Sequence, residues 1–409
     1  MRKRAFIGCL ILALLCSATP LSAQENAKDK GGGMRFFYLV GQWMDNFCLS
    51  GVDTNYIYLP EHSWRVALTN SEVGVYTQLA HEYAPGSVVA LNAHTQPSIE
   101  LGFNLGYRGF GFGYAWDVKS AYARNWNISF GSKWFGFEFA RQRSTNISAK
   151  MTYNGDEAES LDIEQGALWI TNTYISGWYA LNGTHYSHNA AIKQGYIQRK
   201  TAGSLLLQLA YFSSILQATD QFPHIQEGLS WLTFFDNVNQ MWTQQIAVGL
   251  GYGINYTPNQ GKFLLHASAW AQLVCYSIDK VGFVLPDSIA KTLPGEPMYN
   301  LHPEKPVYVT GNMRVGMSWE INKWVHISLW ANAQNLRFKS TTGDAAYLSL
   351  NNWNWHTHLS IGVRLGAGKD RVQKALEGYE LPERYNNAYV APLPTKTPKW
   401  ITDFFFCPK

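Results

Sequence analysis

The sequence predicts an all-β fold: a transmembrane antiparallel β-barrel of about twelve strands with a short N-terminal amphipathic helix. Three observations carry this expectation. Only 15% of the 409 residues are charged while 15% are aromatic, and an average soluble domain is about 25% charged. From Trp64 onward the dominant hydrophobic period is two, the period of a strand. The face opposite the large apolar residues is mostly Gly, Ala, Ser, Asn and Gln, with few Lys or Glu. A soluble sandwich hides its large apolar residues and charges its outer face. A barrel in lipid inverts this, and it must close, because an open edge leaves unpaired backbone groups in hydrocarbon.

The elements follow in chain order. Residues 1–23 read as a Sec-type signal peptide. Met1 to Arg4 is basic, Ala5 to Cys16 is an apolar run too short to span, and Ala23 precedes a cleavage site. A lipoprotein signal needs a small residue before its cysteine, and Leu15 precedes Cys16. Beyond this segment no run approaches the roughly 20 apolar residues of a spanning helix. Residues 24–63 read as a periplasmic linker and helix. The helix covers Met34 to Leu49, where Phe36, Leu39, Val40, Trp43, Met44 and Phe47 follow the three-four spacing. A helix this short is marginal alone in water. It is expected to dock at the periplasmic mouth as a plug or lie flat on the membrane; packing on a globular core is the alternative.

Residues 64–367 form the expected outer-membrane barrel. Strands are placed near 64–82, 97–107, 109–118, 124–131, 134–145, 167–181, 184–216, 242–256, 263–276, 307–320, 323–338 and 355–366. The even count suits a bacterial single-chain barrel. Short connections at Arg108-Gly109, Ser132, Asn182-Gly183, 257–262 and 321–323 alternate with mostly long ones at 83–96, 146–166, 217–241, 277–306 and 339–354. That asymmetry puts the long loops outside the cell and both chain ends in the periplasm. The segment 184–216 is too long for a spanning strand of about 9–11 residues, and its polar middle reads as a bulge, a lumen plug or a periplasmic flap. Residues 368–409 are expected to be a periplasmic tail, with Phe404-Phe405-Phe406 packing under the barrel.

Four segments, in this order, carry a family resemblance. They are Gly51 to Ile57 with Pro60 and Trp64-Arg65-Val66; Leu101 to Gly109; Asn189-Ala190-Ala191 with Gln194 and Gln198 to Ser204; and Gly249-Leu250-Gly251-Tyr252. They resemble a Bacteroidota outer-membrane β-barrel family catalogued as domain of unknown function 4421. The resemblance implies an outer-membrane barrel of uncharacterised role and supplies no catalytic residues. It also suggests that Gln198 to Ser204 contacts the lumen or the periplasmic face rather than lipid.

The candidate chemistry is sparse. Lumen-facing charges are expected at Arg65, Glu100, Glu138, Arg314, Glu320 and Arg364, with Arg65 and Arg364 meeting where the first and last strands close the barrel. They read either as a pore constriction or as charge-paired packing of a filled interior. Three strands carry His-x-Ser, at His266/Ser268, His326/Ser328 and His358/Ser360. Positions two apart share a strand face, and a His–Ser pair can act as base and nucleophile. A twelve-stranded outer-membrane phospholipase family uses such a pair on its lipid-facing surface, whereas these fall on the lumen face. The reading is therefore a non-enzymatic barrel, a narrow pore or an accessory component of envelope assembly or transport, with a lipid hydrolase as the alternative. The mature chain keeps Cys48, Cys275 and Cys407, an odd and scattered set that argues against a disulfide framework and a metal site. No cofactor is expected. A net charge of +4 gives no argument for nucleic acid. The expected partners are outer-membrane lipid, lipopolysaccharide and other envelope proteins. Asp287-Ser288-Ile289 matches a short O-glycosylation pattern of exported Bacteroidota proteins.

Overall fold

In a computed structural model the structure describes residues 52–365 apart from 54, 61, 63, 96–98, 119–123, 133, 146, 164–165, 219–237, 284–297, 302–306 and 342–346. The expectations for the signal, for the helix at 34–49, for Asp287 to Ile289 and for the tail at 368–409 lie outside the described residues.

The chain runs through β1 (Ile57–Tyr58), β2 (Trp64–Ala84), β3 (Ser87–Thr95), β4 (Glu100–Tyr107), β5 (Phe110–Asp117) and β6 (Arg124–Gly131). It continues through β7 (Phe135–Ser144), β8 (Ile147–Tyr153), β9 (Asp156–Ile163) and β10 (Leu168–Ala180). The one-turn helix α1 (Asn189–Ile192) and β11 (Ile197–Gln198) precede β12 (Ala202–Ala218). Then come β13 (Val238–Tyr256), β14 (Phe263–Phe283), β15 (Met298–Leu301), β16 (Tyr308–Glu320), β17 (Val325–Thr341) and β18 (Tyr347–Leu365).

One sheet holds 16 of these strands. Twelve of them form a closed ring in the order β2-β4-β5-β6-β7-β10-β12-β13-β14-β16-β17-β18, all antiparallel. Closure runs from Trp64 opposite Leu365 to Glu82 opposite Tyr347, so β2 and β18 leave no free edge between them. At one end the connections are short. Between β4 and β5 the turn is Arg108 (φ 49°) and Gly109 (φ 106°), the left-handed pair that a two-residue hairpin of the right twist requires.

The faces are inverted as lipid demands. On β13, Ile246, Val248, Leu250, Tyr252, Ile254 and Tyr256 are exposed, whereas Gln245, Ala247 and Asn255 are buried. Aromatic pairs collect on the outer surface at the short-turn end, including Trp64 with Tyr107 at 4.5 Å and Phe110 with Phe130 at 4.8 Å. Such a belt is where a barrel meets the membrane–water interface.

Two expectations need correction. Residues 83–96 and 146–166, expected as loops, are largely paired strand. Above Ser71 the partner of β2 changes from β4 to β3, and β8 and β9 extend that sheet. Val89, Leu91, Ala93, Ile147, Ala149 and Met151 give these strands a buried face. They meet Val75, Leu79, Phe212, Leu336, Phe338, Leu348 and Leu350 in one apolar cluster on the lumen side at the long-connection end. A period-two face this short does not span a bilayer, but it pairs well beside an existing strand. The second correction concerns 184–216. Its strand begins only at Ala202, because the residues before it turn into the lumen.

Candidate functional site

The insertion between β10 and β12 fills the short-turn end of the lumen. Asn182 starts it: its carbonyl accepts from the N–H groups of His185 and Tyr186, and its side-chain amide donates to the Gly203 carbonyl at 2.9 Å. These local bonds turn the chain inward instead of continuing a strand. All four residues of α1 are buried. The segment just before the barrel docks onto the insertion, with Ile57 of β1 opposite Gln198 of β11. Val52, Ile57, Leu59, Ala190, Ala191, Ile192 and Tyr196 pack together against Leu264 and Trp330 of the wall. Two wall glycines make room. A Cβ at Gly131 would lie 1.7 Å from Asn189 Nδ2, and one at Gly253 would lie 2.1 Å from Tyr186 Oη.

Gln198, 1% exposed, ties the insertion together. Its Nε2 donates to the carbonyls of His185 (2.6 Å) and Lys200 (3.0 Å), and its Oε1 accepts from the Ser187 N–H (2.9 Å) and from Asn255 Nδ2 (3.1 Å). Asn255 also donates to the Ser187 carbonyl at 2.8 Å. That carbonyl can only accept, so the other end of the Asn255 amide is its oxygen. His266 Nδ1, 2.8 Å from that oxygen, must therefore carry the proton. Nε2 is then free to accept the hydroxyl proton of Ser268 at 3.0 Å. The order Asn255–His266–Ser268 is that of an orienting group, a base and a nucleophile, but all three are buried, Ser268 at 5% exposure.

The other two His-x-Ser pairs do not form. His358 bonds Ser71 at 2.9 Å, Ser328 bonds Ser360 at 2.7 Å, and neither ring nitrogen of His326 has a hydrogen-bond partner among the described residues. His188 covers His266, with ring centres 5.1 Å apart, and its Nδ1 lies 3.0 Å from Tyr186 Oη. Burial, then the charge interactions with His266 and Arg314, hold His188 well below the ordinary histidine range, so it is a neutral ring.

The structure brings five of the six predicted lumen charges to this floor. Glu138 accepts from Arg314 at 3.1 Å and from Lys193 of the insertion at 3.3 Å. Arg364 forms a two-pronged pair with Glu320, one arm at 2.7 Å. Arg65 stands opposite Arg364 across the closing strands. Glu100 lies apart, buried at the long-connection end opposite Asp117. Burial lowers the affinity of Lys193 for its proton, and the Glu138 carboxylate opposes that shift.

Above the floor, side chains bond across the lumen between strands that are not neighbours. Asn172 of β10 reaches Asn354 of β18 at 2.7 Å, Asn352 of β18 reaches Ser214 of β12 at 3.2 Å, and Asn312 of β16 reaches Tyr174 of β10 at 3.3 Å. Gln198 lies in the segment expected to contact the lumen or the periplasmic face, whereas Asn255, Lys193 and His188 were not among the residues singled out from sequence. The polarity of 188–200 was the available signal, since a lipid-facing strand has no use for it.

The family described as Domain of unknown function (DUF4421) matches residues 51–365. No curated protein matches the chain. Solved structures resemble it distantly. The outer membrane protease OmpT of Escherichia coli is 9% identical, covers 74% of this chain and 97% of its own, and has a TM-score of 0.34. The translocator domain of the autotransporter NalP of Neisseria meningitidis is 10% identical, covers 81% and 94%, and scores 0.31. The toluene transporter TodX of Pseudomonas putida is 7% identical, covers 76% and 97%, and scores 0.26.

Proposed function

The chain belongs to the DUF4421 family, and from that premise we propose that it is a non-enzymatic outer-membrane barrel with a filled lumen, a structural or accessory component of the envelope. It is exported by a signal cleaved near Ala23, and its short-turn end faces the periplasm. The observation that carries this reading is the set of hydrogen bonds across the lumen, above all Asn172 to Asn354 and Arg314 to Glu138. A water-filled channel solvates its wall side chains separately and has no need of such bonds. Purified protein in planar bilayers is expected to give no conductance steps. A stable, reproducible conductance would overturn the reading.

An arginine cluster on the outer surface supports the proposed lipid partner. Arg124, Arg141 and Arg143 are exposed on β6 and β7 at the end of an apolar wall that includes Ile128 and Phe137. Arg124 faces Arg143 in register, and the Arg143 guanidinium lies 3.6 Å from the Trp169 ring centre. Such a cluster at the long-connection end suits the phosphates of lipopolysaccharide. A second reading is favoured by one observation, the Asn255–His266–Ser268 arrangement: a lipid hydrolase unmasked when the insertion withdraws. Esterase activity lost in Ser268→Ala would establish it.

A further inference from the structure

A cavity of about 40 Å³ lies between the insertion and the wall of β4, β5 and β6. It sits at the short-turn end, beside Arg108 and Gly109. A water needs about 10–15 Å³ by this measure, so the space suits a group of a few heavy atoms. Arg65, Arg108, Lys193 and Arg364 line it, and among the described residues no carboxylate does.

One of its buried donors is unused. Arg65 is half-buried, and its guanidinium fills the space left by Gly106, opposite Arg364 across the closing strands. A Cβ at Gly106 would stand 2.9 Å from Arg65 Nη2. Asn189, 7% exposed, points its Nδ2 into the same region, and that atom has no hydrogen-bond partner. A buried donor left unmet is costly. Charge counting agrees. Among the described residues of this floor, Lys193, Arg314 and Arg364 pair with the two carboxylates Glu138 and Glu320, and Arg65 adds a fourth cation, which leaves two positive charges in excess.

We propose that this cavity is a binding site for a small oxyanion, a phosphate or carboxylate group, held by Arg65 and Asn189 with Lys193 and Arg364 supplying field. A tetrahedral or trigonal oxyanion matches the planar donors of a guanidinium and neutralises the excess charge. The site lies at the short-turn end, so the expected source of the ligand is the compartment that this end faces. This inference is independent of the filled-lumen reading: conductance tests that reading, and binding tests this one.

The experiment uses the full mature chain in non-ionic detergent. Its melting temperature is followed against sodium phosphate and against sodium acetate, with sodium chloride at equal ionic strength as the control. A saturable rise with phosphate, acetate or both is expected and chloride should give none; which salt acts identifies the group. Arg65→Gln should weaken the response at least tenfold, and Asn189→Ala should weaken it severalfold. Arg337→Gln, exposed near the other end of the barrel, should leave it unchanged. Arg65→Gln also removes one charge from a positive cluster, so it should be at least as stable as wild type in salt-free buffer. Should that variant fold poorly, Asn189→Ala alone decides. The proposal is overturned if no salt gives a saturable response, or if Arg65→Gln and Asn189→Ala respond like wild type. It is also overturned if only Glu61→Gln creates binding, because the chain's own Glu61, beside the lining residues Pro60 and His62 in sequence, would then be the occupant.

Discussion

The two ends of the lumen are closed by different physics. At the long-connection end, inward residues from β2, β3, β8, β10, β12, β17 and β18 form one apolar cluster. At the short-turn end an inserted segment sits among ion pairs, shared amides and a neutral histidine. The first closure resembles the core of a soluble protein, so its strength follows buried area. The second depends on every polar group keeping its partner, so a single lost partner or proton weakens it. The apolar end is therefore the stable seal and the polar end the adjustable one.

Substitutions at each end should separate the two. Phe338→Ala, 3% exposed in the apolar cluster, should cost about 3–5 kcal/mol. It should lower the temperature at which the barrel loses its compact mobility on gels while leaving the insertion docked. Glu138→Gln should cost about 3 kcal/mol, since Lys193 and Arg314 lose their shared carboxylate. Its effect should be local: faster tryptic cleavage at Lys193, Arg199 or Lys200 with the barrel still heat-modifiable. Equal protease sensitivity in the two variants would contradict the division.

Acidification should loosen the docked insertion, and more weakly. His188 is held below the ordinary value of 6.5 when docked, so it takes up a proton only on release. Docking is then fully stable above about pH 6.5 and weakens below it by at most about tenfold per pH unit for one proton. Tyr186, His266 and Arg314 surround this ring, and none offers a carboxylate to retain the proton. Tryptic release of the insertion, measured at pH 7 and pH 5.5, should rise on acidification. His188→Gln should reduce that dependence by one proton.

Much of this architecture is legible in the sequence. The alternation from Ile246 to Tyr256 places β13 because lipid and lumen demand opposite side chains at every second position. The Arg65–Arg364 meeting follows from closure of the first strand on the last. The hairpin extensions were not legible. Val89, Leu91 and Ala93 make sense as a strand only beside Leu79 and Leu350, far away in the chain. The His-x-Ser spacing puts two side chains on one face but fixes neither ring rotation nor cross-strand partners. Hence one pair of three forms, and its orienting residue, Asn255, comes from the neighbouring strand. Residues 188–200 announced by their polarity that they avoid lipid. The bonds of Gln198 to β13 depend on a register that no local pattern encodes.

The most direct test of two independent seals is single-channel conductance of four proteins in planar bilayers. These are wild type, a form with 185–199 replaced by a short glycine linker, Phe338→Ala/Leu350→Ala, and the combination. The account predicts that the first three are silent and that only the combination conducts. A steady conductance from the linker form alone would mean that the apolar cluster does not seal the barrel, and would contradict it.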